Sequence, residues 1–119
     1  MARSLLNPRD MRDEITRKKL NELTGRPTTS VTTTPITLTD ADHIILVDDD
    51  TVGGAVTINL PLAANSTGNI YHIKKLGTTG VVTIDPSGSE TIDGATTLDI
   101  VFQYDAPEVY CDGTGWVLI

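Results

Sequence analysis

Ile44-Ile45-Leu46-Val47-Asp48-Asp49-Asp50-Thr51-Val52-Gly53-Gly54-Ala55-Val56-Thr57-Ile58-Asn59-Leu60-Pro61 is the stretch on which the fold turns. Four apolar residues, Ile44–Val47, run up to three aspartates and read as a buried-type strand. Gly53-Gly54 then turns the chain. Val56, Ile58 and Leu60 follow at every second position, with Thr57 and Asn59 facing away, and Pro61 closes the strand. A period of two over five residues is a strand period, because successive side chains on a pleated backbone point to opposite faces.

The same pattern continues on both sides. Upstream, Ile36 and Leu38 alternate with threonine. Downstream, Asn65-Ser66-Thr67-Gly68 is a loop before Ile70–Leu76, where Tyr71, Ile73 and Lys75 share one face and Ile70, His72 and Lys74 the other. Gly77-Thr78-Thr79-Gly80 turns into Val81–Ile84, and Asp85-Pro86-Ser87-Gly88 turns again. Asp93-Gly94 is a hairpin dipeptide. Leu98, Ile100 and Phe102 alternate, as do Val109 and Cys111 with Glu108 and Tyr110. Asp112-Gly113 opens the last turn, before Trp116-Val117-Leu118-Ile119, which is expected to be hidden in the sheet or in a contact between subunits. Val56-Thr57-Ile58 recurs 26 residues later as Val82-Thr83-Ile84, read here as two similar hairpin units. Composition agrees: Val, Ile and Thr make up 39 of 119 residues, and such side chains suit a pleated surface. Seven or eight strands with frequent turns predict a mainly β body, a small antiparallel sandwich, barrel or β-prism-like unit over residues 36–119. With one Trp, one Phe and three Tyr the core materials are thin, and oligomerisation is a usual remedy for a small domain.

Residues 1–27 differ in kind. Arg3, Arg9, Arg12, Arg17, Lys18, Lys19 and Arg26 stand against four acids, a net charge of +3, whereas residues 28–119 set Lys74 and Lys75 against twelve acids, a net −10. The leader reads as a helical arm: Asn7 can cap, Pro8 suits the first helical position, Asp10 lies in the first turn, and Gly25 and Pro27 stop it. Met11 and Ile15 share a face, with Leu20 and Leu23 nearby. That stripe is narrow and predicts a helix that needs a partner. Thr28–Pro35, threonine-rich, reads as a linker.

Several classes fall away. The longest apolar runs, Ile44–Val47 and Trp116–Ile119, are four residues, against about 20 for a membrane helix, so no membrane contact is expected. Asn7 and Pro8 interrupt the opening residues where a secretory signal would have its apolar region, which predicts synthesis in a reducing cytoplasm. Cys111 is alone, so it forms no internal disulfide, and it reads as a small buried hydrophobe. Asp48-Asp49-Asp50 could offer oxygens to a hard cation but lacks the spacing of a calcium loop, and reads as a solvated loop. His43 and His72 have no flanking ligand pattern. No phosphate loop follows Gly77-Thr78-Thr79-Gly80, and no nucleophile elbow is present. The acidic body argues against nucleic acid, as do the leader's own acids. No catalytic residue, cofactor or metal site is expected. The residues point to a structural or interaction protein, not an enzyme.

Residues 43–119 resemble a small β domain recurrent in tailed-bacteriophage virion proteins. The resemblance is carried by Ile44-Ile45-Leu46-Val47-Asp48, Val56-Thr57-Ile58-Asn59-Leu60-Pro61 and Ser66-Thr67-Gly68-Asn69-Ile70-Tyr71-His72-Ile73-Lys74-Lys75. It continues through Val82-Thr83-Ile84-Asp85-Pro86-Ser87-Gly88-Ser89-Glu90-Thr91-Ile92-Asp93-Gly94 to Asp112-Gly113-Thr114-Gly115-Trp116. It implies a trimeric virion component without enzymatic activity. The short leader then points to a capsid decoration (cement) protein on the capsid exterior, with the major capsid protein and two further copies of itself as partners. A short tail, baseplate or head-fibre component with a host-surface or carbohydrate-binding β tip is the alternative, and exposed aromatics at Tyr71, Tyr104 or Tyr110 would support such a tip. On this reading Arg9, Arg12, Arg17, Lys18 and Lys19 supply charge contacts to the capsid, and Met11, Ile15, Leu20 and Leu23 the apolar anchors. The body core or trimer seam is expected from Ile58, Leu60, Ile73, Ile84, Leu98, Ile100, Phe102, Trp116 and Leu118.

Overall fold

Inward-pointing β-branched residues, repeated from strand to strand, organise the body. The structure, a computed structural model, describes residues 27–119. Among the described residues nine strands form: β1 (Thr28–Val31), β2 (Ile36–Thr37), β3 (Ile44–Val47), β4 (Val56–Asn59), β5 (Ile70–Lys75), β6 (Val82–Asp85), β7 (Leu98–Ile100), β8 (Glu108–Cys111) and β9 (Trp116–Leu118). They make two sheets, ordered β1-β3-β5-β8-β9 and β2-β4-β6-β7.

The chain alternates between the sheets for its first six strands, odd strands in one and even strands in the other. Each passage through both sheets is one coil, and the next coil lays its strands parallel beside the last. Thus β1–β3, β3–β5, β2–β4 and β4–β6 are parallel, and only β5–β8, β6–β7 and β8–β9 are antiparallel. The expected antiparallel body is therefore corrected to two mixed sheets. Parallel neighbours need a long crossover, and here a strand of the opposite sheet supplies it where a helix commonly would. The 26-residue echo has the same origin. Val56, Thr57 and Ile58 lie directly opposite Val82, Thr83 and Ile84 in parallel register, so the echo marks successive coils, not hairpins.

Register stacks like residues into rows. Ile36, Ile58, Ile84 and Leu98 stand opposite one another across four strands, and Val56, Val82 and Ile100 across three. In the other sheet Ile45 faces Ile73, and Val31, Val47 and Lys75 form a row. These rows meet in one core that includes Leu60, Val109, Cys111 and Trp116. Tyr71 stacks at a tilt on Trp116, centroids 5.6 Å apart, and its hydroxyl donates to the Thr39 carbonyl at 2.9 Å. Burial pushes the Tyr71 phenol up to about 12.

Part of the segment read as a linker is sheet. Thr28–Val31 is the edge strand β1, held by pairing to β3 and by Val31, which is buried; one inward residue and a parallel neighbour suffice where sequence shows only threonine. The helical reading of the leader falls on residues outside those described. The Asp93-Gly94 hairpin forms as read: both residues have positive φ, 50° and 82°, and Ile92 and Ala95 exchange backbone hydrogen bonds across it. Asp112 closes the final turn by accepting from the Thr114 and Gly115 amides.

Candidate functional site

Among the described residues, two places depart most from the rule of apolar residues inside and polar ones outside. The first is internal. Asp48-Asp49-Asp50 is no solvated loop. Asp48 caps the single-turn helix Asp49–Val52, accepting from the Thr51 amide at 3.0 Å, and Gly53 ends it in the left-handed conformation. Asp49 is buried. Its Oδ1 accepts from the Gly77 amide at 2.8 Å, and its Oδ2 from the Thr79 and Gly80 amides, each at 2.9 Å. Lys75, buried as well, donates from Nζ to Asp49 Oδ2 at 3.0 Å and to the Gly77 carbonyl. Asp50 accepts from the Thr78 amide and the Thr79 hydroxyl. The Gly77–Gly80 turn is thus wrapped around one carboxylate. Burial works to raise the Asp49 carboxyl, but the Gly80 and Gly77 amides and Lys75 outweigh it and bring it to about 2. Gly80 has no alternative, since a Cβ there would lie 2.2 Å from the Gly54 carbonyl carbon. This cluster is closed and fully partnered, so it anchors the coil and offers nothing to a ligand.

The second place is external. An open hollow of about 350 Å³ is lined by Leu98, Asp99 and Ile100 of β7, by Asp105, Ala106 and Pro107 before β8, and by Leu118 of β9. Next to these residues in sequence, Val101, Phe102, Tyr104 and Ile119 are all more than half exposed. Phe102, read in the sequence as the third position of a strand alternation, lies beyond the end of β7 in a turn. Leu118 sits on the edge strand β9 and is 39% exposed. Both are therefore outside the core. Ile58, Leu60, Ile73, Ile84, Ile100 and Trp116 are within it, and Leu98 packs against it.

The leader residues Arg9, Met11, Arg12, Ile15, Arg17, Lys18, Lys19, Leu20 and Leu23 lie outside the described residues. Of the three tyrosines considered as surface contacts, Tyr71 is buried, Tyr110 is partly buried, and Tyr104 is exposed, with the Lys74 ammonium 5.5 Å from its ring centroid. Among the described residues, no group of three or more His, Cys, Asp or Glu is placed to hold a metal ion, and no helix is long and apolar enough to cross a membrane. Cys111 is buried and its thiol donates to the Ala63 carbonyl; burial pushes that thiol up. His72 lies 3.4 Å from Glu108 at the surface. No protein-family model and no curated protein matches the chain.

Sequence reasoning missed the Asp49–Lys75 pair and the Phe102 turn. A signal for the first was present: Lys75 sits on the same face as Tyr71 and Ile73, so burial of that face buries the lysine and demands an acid.

Proposed function

We propose that this chain is a non-enzymatic structural protein of a tailed-phage virion, a capsid decoration protein. Residues 1–27 bind the major capsid lattice, and the β body associates with two further copies on the capsid exterior and stabilises the head. The observation that carries this reading is the division of charge. The body's net −10 includes Lys75, which is spent internally on Asp49, so Lys74 is the only Lys or Arg outside the core among the described residues. The seven basic residues of the leader are joined to a body of opposite sign that holds two of the chain's nine cations. Such a segment suits an acidic or apolar surface on a different protein, and three linked leaders gain from effective concentration once one is bound.

The test is cosedimentation with capsids assembled from the major capsid protein. Removing residues 1–26 keeps Pro27, whose carbonyl accepts from the Ile44 amide, so the first strand retains its anchor. The truncated protein is expected to stay soluble and lose capsid binding; binding at the full level would overturn the reading.

A second reading, a tail, baseplate or head-fibre component with a carbohydrate-binding tip, is favoured by one observation, the exposed pair Phe102 and Tyr104. Copy number in particles separates the two. A decoration protein is present in proportion to the major capsid protein, a tail component in proportion to the tail.

A further inference from the structure

The protein has five aromatic side chains and leaves its only phenylalanine 71% exposed. Burying a phenylalanine stabilises a fold, and this small core has few large residues, so an exposed Phe102 forgoes a contribution the body could use. Nor is it on a loose loop. The turn Phe102–Asp105 is fastened to the end of β5. The Tyr104 amide donates to the Lys75 carbonyl at 2.7 Å, the Lys75 amide donates to the Asp105 carbonyl at 3.1 Å, and Gln103 Nε2 donates to the Leu76 carbonyl at 2.9 Å. Tyr104 is held at φ 69°, a conformation that non-glycine residues adopt rarely. The turn is built to present two aromatic rings to the outside.

What they face can be argued from their surroundings. Phe102 is a protruding apolar knob. Two residues before it, Ile100 helps to line the hollow of about 350 Å³, roomy enough for an aromatic ring. Summed over Phe102, Val101, Tyr104, Leu118 and Ile119, the exposed side chains come to on the order of 500 Å², taking a full aromatic side chain as about 150–250 Å². That matches the largest patch on an ordinary monomer, about 300–600 Å², and makes up most of the roughly 800 Å² that each partner gives to a standard interface. Asp99 and Asp105 also line the hollow, and both are exposed, so solvent screens their charge.

We infer that this face is the seam between copies of the chain, with Phe102 of one copy seated in the Leu98–Ile100–Ala106–Pro107–Leu118 hollow of the next. Each copy offers both a knob and a hollow, and with three copies the contact is head-to-tail, each knob entering the hollow of the next. The inference rests on the trimer proposed above and names the residues that build it.

Light scattering of the full-length protein tests it. The wild type is expected at three times 12.8 kDa, about 38 kDa. Phe102→Glu removes the knob and Ala106→Arg blocks the hollow, and both positions are exposed, so each variant is expected to run as a monomer with unchanged far-ultraviolet circular dichroism. Trimers in both variants would overturn the seam and leave the proposed function standing. A monomeric wild type would overturn the seam and the trimer together. A monomeric wild type that binds host polysaccharide, with binding lost in Phe102→Glu, would overturn the seam and assign the face to a carbohydrate.

Discussion

The Asp49–Lys75 cluster and the Phe102–Leu118 edge are opposite exceptions to the same rule, and only the first is complete among the described residues. Two charges sit in the core, yet the Asp49 carboxylate has three backbone donors besides Lys75, and the Lys75 ammonium has a second acceptor in Gly77. At the edge, five large apolar residues meet water, uncovered by any of the other described residues. A satisfied buried charge is a matter of stability; an uncovered apolar edge is a matter of association. Substitutions at the two places should differ in what they change.

The largest effect is expected inside. Asp49→Ala leaves the Lys75 ammonium buried with one carbonyl and strips the Gly77, Thr79 and Gly80 amides of their acceptor. Breaking a buried pair from one side costs about 3–5 kcal/mol, and urea unfolding should show a loss of that size at unchanged slope. Lys75→Met comes next. It removes the other partner but leaves Asp49 with its three amides and fills the lysine's space with an apolar chain. The expected loss is about 2 kcal/mol, because a well-packed apolar replacement offsets part of the lost pair. Equal losses in the two variants would break the account in which backbone donors, more than the lysine, hold the carboxylate.

Acid offers a third route to the same cluster. The Asp49 carboxyl is lowered from 3.8 to about 2 in the folded chain. A lowered folded value means that its contribution is complete above the unfolded value, near pH 4, and is lost as pH falls through about 2. The shift corresponds to roughly 2 kcal/mol. Stability measured from pH 5 to 2 should fall over that window, and Asp49→Ala should flatten the fall. A fall of the same size in the variant would place its cause elsewhere.

How far these features were legible follows from what each depends on. Strand positions were, since Val56-Thr57-Ile58-Asn59-Leu60 has one buried face and shows it by period. The glycine hairpin at Asp93-Gly94 was too, because its backbone conformation is local. Parallel pairing was not. Parallel strands usually betray themselves by continuous apolar runs covered on both faces, but these coils bury one face each, so Ile70–Lys75 alternates as an antiparallel strand would. The echo between Val56-Thr57-Ile58 and Val82-Thr83-Ile84 was the available clue, and recurrence in sequence fits stacked coils better than hairpins. Thr28–Val31 hid because an edge strand needs little of its own: one buried valine and a neighbour to pair with. Phe102 misled because its alternation with Leu98 and Ile100 outlasts the strand that explains it.

The smallest effect on the folded subunit is expected at that residue. Phe102 is on a turn, outside both sheets, and 71% exposed, so Phe102→Ser should alter the unfolding free energy of the isolated subunit by within about 0.5 kcal/mol, as exposed positions away from special features do. Its consequence belongs to mass action. If copies join through this edge, the wild-type melting temperature rises with protein concentration, because association stabilises the folded chain, whereas that of Phe102→Ser stays flat. At the lowest concentrations the two proteins should melt together, and the gap should open as concentration increases. A gap already present at high dilution would mean that Phe102 supports its own subunit, and the contrast between a self-sufficient interior and an incomplete edge would fail there.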